Sequence, residues 1–148
     1  DEDNWRINNR AFIKDPTEYY ATRQLIENQM HVLKEVFLHT ASHDAFPYIT
    51  MFGTEEFATN AGLIDNKHVK KDAVNRNFIA ANVSKQDHDL DAKGQMLCRY
   101  EFIEFLVRLA VFKYKETMKV TKTAHESFKR IMDEHIVPFH ATHCQDWQ

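Results

Sequence analysis

Scarcity of glycine and proline is the feature that most restricts the fold of this chain. Only three residues of each type occur among 148. An all-β fold needs many tight turns, and tight turns rely on these two residue types. Apolar residues recur at helical spacing in the long stretches that lack both. We therefore expect an all-α protein.

The first helix is marked by a capping signal at Asp15. Pro16 suits the first helical position and Glu18 completes a capping box, which predicts a helix from there to about Thr40. Pro47 then requires a break in the chain, because proline is not tolerated inside a helix.

Two shorter helices are predicted next. One begins at Thr54 and stops at Gly62. Asp65 or Asn66 caps the other, which fades near Asn82 into a long polar loop. Its inner side is formed by five apolar residues, Val69, Ala73, Val74, Phe78 and Ala81.

Two further helices are predicted in the last third of the chain. One begins near Cys98, and its apolar residues cover most of its circumference, which indicates a central and mostly buried helix. The last has a capping box of Thr123 and Glu126 and is expected to end at Pro138. Its inner face comprises Ala124, Phe128, Ile131 and either His135 or Ile136.

The length suits one domain with a single core. We expect one domain over residues 1–148, with helix–loop–helix units at about 16–62 and 67–117, an extra helix at about 123–137, and tails at 1–14 and 138–148. Because the chain starts at Asp1, we expect a fragment of a longer protein or trimmed termini.

Composition excludes several classes of partner. The formal net charge of −3 is not typical of a nucleic-acid-binding protein. No apolar run is long enough to cross a membrane, and the start lacks the pattern of a signal peptide. Two cysteines, Cys98 and Cys144, are too few for a disulfide framework. We therefore expect a reducing, cytoplasmic location, with neither nucleic acid nor membrane as a partner.

The segment LCRYEFIEFLVRLAVFKY, residues 97–114, carries the most specific resemblance to a known family. Leu97 lies four residues before Glu101, and Phe102 opens a long apolar helix. In this respect, and in the order of its helices, the chain resembles the EF-hand, or calmodulin-like, superfamily over roughly residues 17–115. The segment is also similar to degenerate EF-hand modules of protist ciliary and cytoskeletal proteins, in which a further helix and a Trp-containing tail follow.

The resemblance implies two EF-hand-like helix–loop–helix units plus a C-terminal helix, with calcium as the cofactor to test. An EF-hand loop has twelve residues, with oxygen ligands at alternating positions, glycine at position six and glutamate at position twelve. The acidic stretch DHDLDAKG places Asp87, Asp89 and Asp91 ahead of Glu101. Even the best register, counted from Asp89, places Lys93 on a ligand position and ends one residue before Glu101.

Two interpretations of this second loop stay open. Counted from the end of the entering helix, the loop runs from Asn82 to Glu101, which is 20 residues. Because Ca²⁺ tolerates flexible geometry, Asp87, Asp89, Asp91 and Glu101 could form a calcium site with an insertion. The alternative is a solvated acidic loop on an EF-hand-like scaffold. We favour that alternative because a longer loop costs more entropy to order.

The first loop, from Asp44 to Glu55, has the length of an EF-hand loop but lacks its ligands. The third and fifth positions are Phe46 and Tyr48, which offer no carboxylate. Pro47 fits poorly into a tight metal loop. We expect no calcium there.

An EF-hand pair can hold a partner helix in an apolar groove. The candidate anchors are Phe37, Phe57, Phe78, Phe105, Leu109 and Phe112. The sequence leaves open whether these side chains line a groove or belong to the core. The helix from Thr123 could also fill the groove from within the same chain.

Other chemistry has weaker signals. His140, His143 and Cys144 could begin a zinc site with His135 as fourth ligand, although a polar tail after the last helix also explains them. No glycine-rich phosphate loop and no Gly-x-Ser-x-Gly motif occurs in the sequence. We therefore expect that the chain is not an enzyme.

Together these observations predict a non-enzymatic structural or protein-interaction module without a bound cofactor. The resemblance implies a protein partner, either a helical segment or a larger cytoskeletal assembly, in the cytoplasm or in the cytoskeleton of a cilium or flagellum. The alternative function is a calcium sensor that binds Ca²⁺ through the second loop.

Overall fold

A computed structural model describes residues 12–82 and 95–144 and shows an all-α protein, as predicted. The strands in the described residues are only two residues long. In chain order the elements are α1 (Pro16–Asn28), α2 (Met30–Ser42), β1 (Ile49–Thr50), α3 (Met51–Asn60), α4 (Lys71–Asn82), β2 (Met96–Leu97), α5 (Arg99–Ala110) with a π-helical continuation (Val111–Thr117), α6 (Ala124–Ile131), a second π-helical segment (Met132–Ile136) and α7 (Val137–His143).

The first predicted helix starts where expected but is divided into two. The Asp15 carboxylate accepts the N–H of Glu18 at 2.9 Å, which caps α1. Gln29 adopts φ −108° and ψ 13°, outside the helical region, and separates α1 from α2. The prediction of one continuous helix to Thr40 was therefore wrong. Neither proline nor glycine marks the break, so the sequence carries no signal for it.

Helix α3 begins before its predicted start. The Thr50 hydroxyl accepts the N–H of Gly53 at 3.1 Å and caps the helix. Thr54, the predicted start, lies inside α3, where its buried hydroxyl donates to the Thr50 carbonyl at 2.9 Å. Gly62 has φ 75°, a conformation that glycine adopts readily just after a helix end.

The link between α3 and α4 is organised by Asp65. Its carboxylate accepts the backbone N–H groups of Lys67, His68 and Val69 at 3.0, 2.8 and 2.8 Å. These bonds close a turn, and α4 begins only at Lys71. The expectation that Asp65 or Asn66 directly caps the helix was therefore wrong, because Asp65 caps the preceding turn.

Helix α5 is central, and nine of its twelve residues are buried, as predicted. It packs against α4 on one side and α6 on another. Phe102 is fully buried, and its ring lies 5.7 Å from that of Phe37, 5.4 Å from Phe57 and 6.3 Å from Phe105, measured between centroids. This aromatic cluster joins α2, α3 and α5.

The last helix does not end at Pro138, contrary to the prediction. Thr123 caps α6 by accepting the N–H of Glu126 at 3.2 Å. Residues Met132–Ile136 are π-helical, and α7 continues through Pro138 to His143. A π-helical turn widens the helix just before the proline, which relieves the clash between its ring and the preceding turn. We call the stretch from Ala124 to His143 the C-terminal helix.

Strand β1 pairs with β2 in antiparallel orientation, with Ile49 opposite Leu97. This pairing joins the loop before α3 to the segment before α5. None of the helices in residues 12–82 and 95–144 is both long and apolar enough to cross a membrane.

Candidate functional site

Glu101 and Asn82, the two ends of the proposed second loop, are brought together. Glu101 is buried, and its Oε1 accepts the N–H of Cys98 at 3.0 Å, which satisfies a free donor at the start of α5. The Asn82 side-chain N–H₂ donates to the Met96 carbonyl at 2.9 Å and contacts Glu101 Oε1 at 3.5 Å. Asn82, the last residue of α4, thus connects that helix to β2 and to the start of α5. Asp87, Asp89 and Asp91 lie outside the described residues.

The strand pairing relates the segment before α3 to the segment before α5, with Ile49 opposite Leu97. Four residues after Leu97 comes Glu101, and four residues after its partner Ile49 comes Gly53. Gly53, which has no side chain, therefore has the same spacing from the paired strands as Glu101.

Asp44 fills the space that Gly53 leaves. Its carboxylate accepts the Thr50 N–H at 2.6 Å and lies within 3.0 Å of the Thr50 hydroxyl. A side chain at residue 53 would collide with this carboxylate. Glu55, the predicted closing residue, instead lies 3.6 Å from Lys71 Nζ. The Asp44 carboxylate is thus held by the protein's own donors at the start of α3.

The six candidate anchors for a partner helix lie mostly in the core. Phe37, Phe57, Phe78, Phe105 and Leu109 are each at most 5% exposed. Phe112 is half-buried, with the Arg76 guanidinium 5.4 Å from its ring centroid. In the described structure these side chains pack against the protein's own helices.

Glu104 is a second buried carboxylate on α5. It is 1% exposed, and its Oε2 accepts the Arg108 Nε–H at 2.8 Å. Burial raises the pKa of Glu104 to about 6, although the Arg108 charge and hydrogen bond act in the opposite direction, and the Glu101 charge adds to the rise. The folded protein therefore binds a proton at Glu104 more readily than the unfolded chain does.

This raised pKa predicts a pH dependence of stability. Between about pH 4.5 and pH 6 the folded state holds a proton that the unfolded state has lost, so the Glu104 contribution to stability falls as pH rises through this window. The expected loss is about 2 kcal/mol. We expect the free energy of unfolding of Glu104→Gln, relative to that of the unsubstituted protein, to rise by about that amount from pH 4.5 to pH 7. Urea unfolding at each pH measures this difference. The exposed Glu56→Gln is the control, and an equal response of both variants would contradict the assignment.

A trio of possible metal ligands lies between α2 and the C-terminal helix. His31 and Glu35 are one turn apart on α2, with His31 Nε2 3.6 Å from Glu35 Oε2. His140 reaches across from α7, and its Nε2 lies 2.6 Å from Glu35 Oε1. Among the residues that the structure describes, this is the one group of three His, Cys, Asp or Glu side chains whose ligand atoms lie within 4.8 Å of one another.

More histidines continue along the same edge. The His39 ring lies 4.7 Å from His43 and 6.1 Å from His143, and the His143 ring stacks on Phe139 at 4.3 Å. Burial lowers the pKa of His39, and the nearby His43 and His143 lower it further. His39, His43 and Phe139 also border a pocket of about 190 Å³. This edge therefore favours neutral imidazole at His39.

The zinc set suggested by the sequence is not assembled. Of its four residues, only His140 belongs to the trio. The ring of His135 bonds to the Ala61 carbonyl at 2.9 Å. The ring of His143 bonds to the Phe139 carbonyl in the same helix, at 3.3 Å. Cys144 is buried, and burial together with the Glu35 charge raises the pKa of its thiol to about 11. Cys144 is therefore a protonated thiol at neutral pH.

Sequence reasoning missed His31 and Glu35. Their spacing of four residues on a predicted helix was the available signal, since such residues share one face. The third member, His140, is 105 residues away from Glu35 in sequence. No local pattern connects the two segments, so only the folded structure reveals the trio.

Comparison of the chain with protein-family models, with curated proteins and with solved structures finds no match in any of the three.

Proposed function

We propose that the chain is a non-enzymatic structural and protein-interaction module built on a degenerate EF-hand pair. In this proposal the C-terminal helix occupies the groove that an EF-hand pair would offer to a partner helix. The packing of that helix against α1, α2 and α5 is the observation that carries the proposal.

Polar contacts attach the C-terminal helix to three other helical regions. At its start, the Ala124 N–H donates to Glu18 of α1 at 3.0 Å. In its middle, the His135 ring bonds to the Ala61 carbonyl just after α3, and His140 bonds to Glu35 of α2. Contacts spread along the whole length oppose partial detachment of the helix.

The apolar face of the C-terminal helix is buried against the core. Phe128, Ile131 and Ile136 are fully buried, and the Phe139 ring lies 5.1 Å from that of Phe57 in an edge-to-face arrangement. Exposing such a side chain costs about 1.5–3 kcal/mol each. A calcium switch that opens the groove would have to supply this free energy for several side chains at once. The burial of this face therefore supports a fixed module.

The loops also support the proposal. Glu101 and Asp44 both accept hydrogen bonds from the protein's own backbone, at Cys98 and Thr50. A metal would have to displace those bonds. Placement in a cytoskeletal or ciliary assembly is a further part of the proposal, and it is supported by the resemblance of residues 97–114.

One observation favours the alternative of a calcium sensor. Asn82 and Glu101 flank in sequence the segment that contains Asp87, Asp89 and Asp91, and their side chains lie close together, with Asn82 Nδ2 3.5 Å from Glu101 Oε1. Calcium prefers such carboxylate and amide oxygens. In a sensor, calcium binding would expose apolar surface.

Calorimetric titration with Ca²⁺ separates the two functions. For a fixed module we expect no saturable heat at millimolar Ca²⁺ and no change in helicity by circular dichroism. Asp89→Ala and Glu101→Gln are the matched variants, and the second retains an acceptor for the Cys98 N–H. Micromolar binding that both variants abolish would overturn the proposal and establish the sensor.

A further inference from the structure

We propose that His31, Glu35 and His140 form a binding site for a zinc ion, which would bridge α2 and the C-terminal helix. This site is separate from the two loops, and it does not depend on the EF-hand resemblance.

The geometry of the trio is close to that of a zinc site. Zinc holds nitrogen and carboxylate ligands at about 2.0–2.2 Å in a tetrahedral arrangement, so ligand atoms lie about 3.4 Å apart. His140 Nε2 lies 2.6 Å from Glu35 Oε1, and His31 Nε2 lies 3.6 Å from Glu35 Oε2. One ligand atom from each of the three residues lies within 4.8 Å of the other two, so side-chain rotations that bring these atoms about 1 Å closer would place them around one ion.

The chemistry of the ligands favours zinc over calcium and magnesium. Two imidazoles and one carboxylate are a donor set that zinc uses in sites that keep a fourth position open. Calcium and magnesium prefer oxygen ligands alone, so a mostly nitrogen set disfavours them. Because a ligating nitrogen carries no proton, zinc binding would replace the hydrogen bond between His140 Nε2 and the Glu35 carboxylate.

Two of the three ligands are held by their surroundings, and the third is open to solvent. The side chains of His140 and Glu35 are only 14% and 19% exposed, which restricts their orientations. His31 is 75% exposed, so an ion can approach from solvent, and its ring meets that of His140 edge to face at 5.9 Å. One ion would join residues from two helices and so stabilise the docked C-terminal helix.

Titration of the full chain with Co²⁺ and Zn²⁺ tests the proposal. After treatment with a chelator, we expect one equivalent of Co²⁺ to produce the visible spectrum of a four-coordinate site, and Zn²⁺ to displace it. Saturating Zn²⁺ at about 100 times the dissociation constant should raise the melting temperature by about 5 °C or more. Acidification should abolish binding, because the imidazoles become protonated.

Matched variants locate the ion. We expect His31→Gln, Glu35→Gln and His140→Gln each to weaken Co²⁺ binding at least tenfold, while His68→Gln, which removes a histidine beside Asp65, leaves it unchanged. His31→Gln alters an exposed side chain and should fold normally, so it remains informative if another variant does not fold. Absence of saturable binding, or binding lost in His43→Gln but kept in His31→Gln and His140→Gln, would overturn the proposal.

Discussion

Replacement of Phe102 by alanine is expected to lower the free energy of unfolding by about 3–5 kcal/mol. The Phe102 side chain is fully buried, and its ring contacts the rings of Phe37 and Phe57 from two other helices. Truncation loses the transfer free energy of the ring and leaves a cavity. The surrounding side chains come from three helices, so they cannot relax enough to fill it. Because Phe57 also contacts Phe139, the cavity would loosen the support of the C-terminal helix.

Phe52→Ala is the matched control for this substitution, because Phe52 is 67% exposed. Its effect should lie within about 0.5 kcal/mol, as for most surface substitutions. Both values come from urea unfolding followed by circular dichroism. Similar values for the two variants would show that the Phe102 cluster does not stabilise the fold.

Replacement of Asp65 by alanine is expected to cost about 3 kcal/mol of stability. Burial tends to raise the pKa of Asp65, but three backbone N–H groups and the Lys113 charge outweigh it and hold the pKa well below its usual range. Without this carboxylate the three N–H groups lose their acceptor. Lys113, whose side chain is only 7% exposed, also loses the partner 3.3 Å from its Nζ.

Asp133→Ala is a suitable control for Asp65→Ala. Asp133 also accepts from a lysine, Lys129, at 3.0 Å, but both side chains are more than half exposed. Such surface pairs contribute about 0–1 kcal/mol. If Asp65→Ala were no more destabilising than Asp133→Ala in urea unfolding, the turn before α4 would not depend on Asp65.

The sequence predicted which segments are helical, but it did not predict where all of the helices begin and end. The apolar residues around α5 predicted its central position, because periodicity reports directly how much of a helix surface is apolar. The break at Gln29 and the continuation through Pro138 were missed. Both depend on local backbone geometry, a turn conformation in one case and a π-helical segment in the other, that residue types did not indicate.

The choice between groove and core could not be made from sequence for a different reason. An apolar stripe indicates that a helix face is covered, but it does not identify the covering element. Burial of Phe57 depends partly on Phe139, which lies 82 positions further along the chain. An even longer separation, 105 positions, lies between Glu35 and His140. Neither the docked helix nor the histidine trio therefore had a local signal.

Hydrogen exchange with and without Ca²⁺ tests whether the C-terminal helix permanently fills the groove. We expect the amides of Ala124–His143 to be protected to a degree similar to those of α5, and millimolar Ca²⁺ to leave their exchange rates unchanged. Faster exchange of this helix than of α5 without calcium, or a calcium-dependent rise in its exchange, would contradict a groove that is permanently filled from within the chain.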